Sequence, residues 1–136
     1  MKTLYLDIDG VLVDSKERKA AENGKEFINF IVNNFDCYWL STRCKGETEL
    51  AMNYLSMFYD SETMELLKTI NPTEWGAMKT DAIEMTDEWY WLDDAPLSFE
   101  VNILKKYGLL NRLIVVDLSK DYGLNGVKLK LEKVKN

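Results

Sequence analysis

Residues 3–12 read TLYLDIDGVL, an apolar run that ends in two carboxylates and a glycine. Residues 3–8, which begin with this apolar run, predict a buried β-strand. A strand points alternate side chains to the same face, so Asp7 and Asp9 would project together and repel each other. A bound cation would offset this repulsion. The stretch therefore predicts a core strand that carries a cation site at its end.

The composition restricts the chemistry that is available to the chain. With 136 residues, 46% of them hydrophobic, we expect a single domain over residues 1–136. The absence of histidine excludes Ser-His-Asp catalysis and His-ligated zinc. The net charge of −6 disfavours broad nucleic-acid binding. No apolar stretch is long enough to cross a membrane, so we expect a cytoplasmic protein without a membrane partner.

Apolar runs alternate with segments of helical periodicity along the whole chain. The pattern predicts strands over residues 3–8, 37–40, 89–92 and 113–116, and helices over residues 25–35, 47–58, 77–84 and 97–107. Residues 64–70 are ambiguous and could hold a short strand before Pro72. The tail from residue 127 fits the periodicity of a strand and of a helix, and we favour the helix. Short apolar strands separated by helices favour a central parallel sheet covered on both faces. The predicted fold is an α/β three-layer sandwich of Rossmann-like type.

Polar residues follow three of the predicted strands directly. Asp7 and Asp9 follow the first strand, Ser41 the second, and Asp93-Asp94 the third. Ligands of such folds bind beyond the carboxyl ends of the strands, so these side chains are expected to meet. An all-carboxylate cluster without histidine favours Mg²⁺ over softer metals.

The order of these motifs resembles the signature of the haloacid dehalogenase (HAD) superfamily. The matching segments are DIDGVL at 7–12, the serine after YWL at 38–40, the lysine in GAMKTDAI at 76–83, and WLDD at 91–94. Most members of that superfamily are phosphatases and phosphotransferases that use an aspartate nucleophile. The resemblance implies the HAD-type version of the predicted fold.

The resemblance also implies roles for individual residues. Asp7 would attack phosphorus as the nucleophile, and Asp9 would act as general acid and then general base. Ser41 would hydrogen-bond a phosphate oxygen, with Thr42 as its competitor. Lys79 would neutralise phosphate charge and help to hold Asp7 ionised.

In the superfamily a Mg²⁺ ion is held by the first aspartate, the backbone carbonyl of the second and the later acidic pair. That set corresponds to Asp7, Asp9, Asp93 and Asp94. The backbone N–H groups of Asp9 and Gly10 are expected to cradle the phosphate.

The lysine role and Arg43 each have competing interpretations. Lys45 and Lys68 compete with Lys79 for the phosphate role. Arg43 either contacts substrate phosphate or pairs with a surface acid, and Tyr54 is expected in the core.

The intervals between the motifs leave little room for a folded cap domain, so an open site is expected. Phosphorylated protein, a nucleic-acid end and a nucleotide stay open as substrates, and so do the oligomeric state and a cap supplied by a partner. The main hypothesis is a Mg²⁺-dependent phosphomonoester hydrolase. Its rivals are a 5′-nucleotidase and a phosphate-binding or regulatory module without turnover.

Overall fold

The architecture is an α/β fold built around one parallel sheet. A computed structural model describes residues 1–120 and 122–136. Its sheet strands are β1 (Thr3–Leu6), β4 (Asp36–Trp39), β5 (Trp89–Asp93) and β6 (Leu113–Val115). All neighbouring pairs are parallel, and their order is β4-β1-β5-β6. This confirms the predicted α/β class and parallel sheet.

Helices separate the strands along most of the chain. The α-helices are α1 (Gly24–Asn34), α2 (Glu49–Leu55), α3 (Ser61–Leu67), α4 (Ser98–Lys106) and α5 (Leu124–Glu132). The predicted helix in the tail is confirmed by α5. Across the described ranges, no helix combines the length and the apolarity that a bilayer span requires.

Strand β1 is the centre of the molecule and is covered on both sides. Leu4 and Leu6 pack into a cluster that contains Ile31 of α1, whereas Tyr5 packs into a second cluster with Leu104 of α4. This division follows from the alternation of side chains along a strand. Burial of both faces fixes the position of the residues that follow β1.

The short strand that the sequence left open for residues 64–70 does not form, because helix α3 extends to Leu67. Asp60 caps α3, since its carboxylate accepts a hydrogen bond from the Thr63 N–H at 2.8 Å. Met64 and Leu67 are buried and lie three residues apart, which is helical spacing. The apolar run alone did not distinguish the two structures.

Two other segments differ from expectation. The helix predicted over residues 77–84 is only a 3₁₀ turn, Lys79–Ala82. A small antiparallel hairpin of β2 (Val13–Asp14) and β3 (Lys19–Ala20) was not predicted. Strands of two residues are too short to produce a period-2 pattern, which explains the omission.

Candidate functional site

Two buried carboxylates lie side by side at the carboxyl edge of the sheet. Leu6 of β1 is in register with Leu92 of β5, and the Asp7 N–H donates to the Leu92 carbonyl at 3.0 Å. The next residues along the two strands are Asp7 and Asp93, which are 8% and 1% exposed. Pairing of the strands therefore brings together two acids that are far apart in the sequence.

Lys79 bridges these two carboxylates. Its Nζ lies 3.1 Å from Asp7 Oδ2 and 2.6 Å from Asp93 Oδ2, and its side chain is 12% exposed. Burial on its own would lower the pKa of Lys79, but the charges of Asp7 and Asp93 outweigh that effect and raise it. The ammonium group is therefore held charged between the two acids.

One lysine does not balance the negative charge at this edge. The pKa of Asp7 is raised from 3.8 to about 6, first by burial and second by the charge of Asp93. Lys79 and the Ile8 N–H, 2.8 Å from Asp7 Oδ1, oppose that shift only in part. The pKa of Asp94 is raised by the same two causes, burial and then Asp93. The cluster therefore carries an excess of negative charge that a cation would relieve.

The donor set fits a hard divalent cation such as Mg²⁺. Asp7, Asp93 and Asp94 each offer a carboxylate oxygen, and these oxygens lie within 4.8 Å of one another. Within the part of the chain that the structure describes, no backbone N–H donates to the Asp9 carbonyl, so that oxygen is also available. Hard oxygen donors without histidine or cysteine are the ligands that Mg²⁺ prefers.

The loop after β1 passes close to Asp94, and this approach requires glycine at position 10. Gly10 has φ +79°, and a Cβ atom on it would collide with the Asp94 carboxylate. Its N–H donates to the Val13 carbonyl at 2.8 Å. The expectation that the Gly10 N–H cradles phosphate is therefore wrong, because that group is already bonded within the loop.

Asp9 contacts a different set of side chains from Asp7. Arg43 Nε donates to Asp9 Oδ2 at 2.6 Å, and the Tyr54 hydroxyl donates to Oδ1 at 2.8 Å. The guanidinium carbon of Arg43 lies 3.4 Å from the centre of the Tyr54 ring. The hydrogen bond to Asp9 is the largest cause that raises the pKa of Arg43. Asp9, Arg43 and Tyr54 form one connected unit, which we call the Asp9 triad.

Ser41 and Thr42 differ sharply in their exposure. Ser41 follows β4, is fully buried, and accepts a hydrogen bond from the Arg43 backbone N–H at 3.1 Å. Thr42 is exposed. Ser41 is therefore buried at the carboxyl edge of the sheet, whereas Thr42 lies at the surface.

Of the three competing lysines, Lys79 alone contacts the acidic cluster among the described residues. Lys68 pairs with Glu65 on the surface, 2.9 Å away. Lys45 lies over the Trp75 ring, with its Nζ 3.9 Å from the ring centre. The geometry therefore favours Lys79.

A buried glutamate positions the turn that carries Lys79, and the sequence patterns did not indicate it. Glu100 of α4 is 2% exposed, and its Oε2 accepts from the Lys79 N–H at 2.6 Å. Its Oε1 accepts from the Leu97 N–H at 3.0 Å, at the start of α4. A glutamate three residues after a helix start is the sequence signal of such a cap. Nothing in the sequence indicates the second contact of Glu100, the hydrogen bond from the Lys79 N–H.

Beside Asp94 the site borders an open cavity of about 290 Å³. Its walls are Gly10, the hairpin segment 14–16 and residues 115–119, which continue from the last residue of β6.

Comparison of the chain with protein-family models, curated proteins and solved structures finds no match in any of the three.

Proposed function

We propose that this protein is a HAD-type phosphomonoester hydrolase that depends on Mg²⁺ and uses Asp7 as its nucleophile. The observation that carries the proposal is the Lys79 bridge between buried Asp7 and Asp93, 3.1 and 2.6 Å from the ammonium, with Asp94 beside them. The three-layer form of the fold belongs to the same proposal. It is supported by the two apolar clusters that cover opposite sides of β1.

The residues that would hold Mg²⁺ are Asp7, Asp93, Asp94 and the backbone carbonyl of Asp9. When bound, the ion would shield the Asp7 carboxylate from the negative phosphoryl group and stabilise charge in the transition state. Lys79 supplies a second positive charge at the same place. Its charge opposes the rise in the pKa of Asp7 and so favours the ionised form of the nucleophile.

In the first half-reaction an Asp7 carboxylate oxygen attacks phosphorus. A bond from Asp7 to phosphorus forms, the bond from phosphorus to the leaving oxygen breaks, and Asp9 gives a proton to that oxygen. In the second half-reaction water attacks phosphorus while Asp9 takes back a proton. The bond from Asp7 to phosphorus breaks, and inorganic phosphate leaves with Asp7 restored.

The surroundings of the site favour a substrate that is bound from an open side. The cavity beside Asp94 opens to solvent between the hairpin and the segment after β6. The substrate class proposed here is a phosphorylated macromolecule or nucleotide, bound mainly through its phosphate.

The test is phosphate release from an aryl phosphate, measured with Mg²⁺ and with EDTA. We expect release by the native chain only with Mg²⁺, and none by Asp7→Asn. Asp36→Asn, which removes the same charge from an exposed position on β4, is the matched control and should retain full activity. Equal release by the native protein and Asp7→Asn would overturn the proposal.

One observation favours a second candidate, a phosphate-binding module without turnover. Both carboxylate oxygens of Asp9 are engaged by Arg43 and Tyr54, so the proposed proton donor is not free in this arrangement. Such a module would accumulate phosphorylated Asp7 after treatment with acetyl phosphate. A persistent phosphoprotein mass would support it, whereas rapid loss of that mass would support the hydrolase.

A further inference from the structure

The Asp9 triad engages both carboxylate oxygens of the proposed acid–base residue. Arg43 and Tyr54 donate to different oxygens of Asp9, at 2.6 and 2.8 Å. A second arginine nitrogen, Nη2, lies 3.4 Å from Oδ1. Both oxygens of Asp9 therefore already accept from side-chain donors. Release of one of these partners would free an oxygen of Asp9 for the leaving group.

We propose that Arg43 is a latch that an anion releases: the substrate's phosphoryl group takes the guanidinium from Asp9 and frees its carboxyl for the leaving oxygen. The inference rests on the proposed function of the site. A phosphate dianion offers arginine paired, planar hydrogen bonds and more charge than one carboxylate does. The side chain of Arg43 is 38% exposed, so a dissolved anion reaches it without unfolding of the site.

The position of Arg43 in the chain supports this exchange. Its backbone N–H donates to the Ser41 hydroxyl at 3.1 Å, so the latch belongs to the turn whose buried hydroxyl lies at the proposed phosphate edge. The exchange therefore needs only a movement of the Arg43 side chain, because the backbone of this residue stays bonded to Ser41.

Tyr54 acts as a positioning residue in this device. Its ring lies under the guanidinium of Arg43 at 3.4 Å, which restricts the cation to a plane. Its hydroxyl holds Asp9 from a different element, α2, and does not depend on Arg43. When Arg43 leaves, Asp9 keeps one anchor and stays oriented.

The direct test observes the arginine side chains by ¹H–¹⁵N NMR during titration with inorganic phosphate in the presence of Mg²⁺. The chain contains only three arginines, Arg18, Arg43 and Arg112, so their Nε–Hε signals are easily assigned with the variant Arg43→Lys. We expect the Arg43 signal to shift with the same saturation curve as the Asp9 backbone amide, the other N–H group expected to cradle phosphate. Arg112, which donates to a backbone carbonyl elsewhere, is the internal reference and should not move.

Two variants separate the latch from the anchor. Arg43→Gln should weaken inhibition by inorganic phosphate by roughly tenfold to a hundredfold, the usual effect of a lost charge-assisted hydrogen bond. Tyr54→Phe keeps the ring under the guanidinium and removes one donor to Asp9, so phosphate inhibition should not change. Its kcat should fall more for an alkyl phosphate, whose leaving group needs a proton, than for a nitrophenyl phosphate, whose leaving group does not. An equal fall for both substrates would refute the positioning role.

The latch and the proposed function fail in different ways. An Asp9 backbone amide that shifts with phosphate while the Arg43 Nε–Hε signal stays fixed overturns the latch and leaves the hydrolase intact. An Arg43 signal that shifts in a protein without phosphate release supports the latch and overturns the hydrolase. If phosphate moves neither signal, the latch is wrong, and the release assay decides the function separately.

Discussion

Replacing Asp7 with asparagine should make the metal-free protein more stable while it abolishes activity. The pKa of Asp7 is raised from 3.8 to about 6 in the folded protein, by burial first and then by Asp93. The folded state therefore binds the Asp7 proton more tightly than the unfolded state does, and stability is lost as the pH rises from about 4 to about 6. That difference in pKa corresponds to ~3 kcal/mol above pH 6. Asparagine imitates the neutral acid and avoids this cost.

Thermal unfolding in EDTA at pH 8 and at pH 4 measures the effect. For a chain of this length, ~3 kcal/mol corresponds to roughly 10 °C in Tm. We expect Asp7→Asn to unfold about that much higher than the native protein at pH 8, and at nearly the same temperature at pH 4. Mg²⁺ should narrow the gap at pH 8, because it would stabilise the native protein and not the variant. Asp36→Asn should change little. A variant that is no more stable than the native protein at pH 8 would refute the electrostatic reasoning.

Three further substitutions test contacts that stabilise the site and the fold around it. Gly10→Ala forces a left-handed residue and a collision with Asp94, so the rise in Tm produced by Mg²⁺ should disappear even if the variant folds. Glu100→Ala leaves the Lys79 and Leu97 N–H groups without their acceptor and should lower the free energy of unfolding by about 3 kcal/mol in denaturant titration, whereas Glu100→Gln should lower it less. Asp60→Ala should lower the Tm at neutral pH. The pKa of Asp60 is lowered to about 2 by hydrogen bonds from the first turn of α3 and by Lys25. The difference in Tm between the variant and the native protein should therefore shrink as the pH falls from about 4 to about 2. Asp60→Asn, which can still cap α3, is the control and should keep most of the neutral-pH stability.

The sequence alone placed the acids correctly, for a simple physical reason. An apolar strand that ends abruptly in carboxylates marks both the strand and its carboxyl end, so the pattern of residues is enough to assign Asp7 and Asp93 to one edge. Parallel pairing of β1 and β5 then brings them together in register. The strand boundaries, within one or two residues, follow from the same abrupt change.

The supporting contacts could not be predicted, because they depend on the direction of side chains and not on their spacing. Tyr54 is apolar enough to be expected in the core, but it is only half-buried and its hydroxyl reaches Asp9. Glu100 has the local pattern of a helix cap, and nothing in the sequence indicates its bond to Lys79 across the fold. Arg43 had two interpretations from sequence; the structure shows pairing with an acid, which is Asp9, and contact with phosphate stays a prediction.

The place of β1 in the sheet has a consequence for synthesis of the chain. This strand is made before both of its partners, since Thr3 pairs with Asp36 on one side and with Trp89 on the other. A nascent chain on the ribosome therefore holds this apolar segment without a complete sheet until β5 has emerged. Long-range pairing of this kind delays folding and leaves strand edges open to other chains.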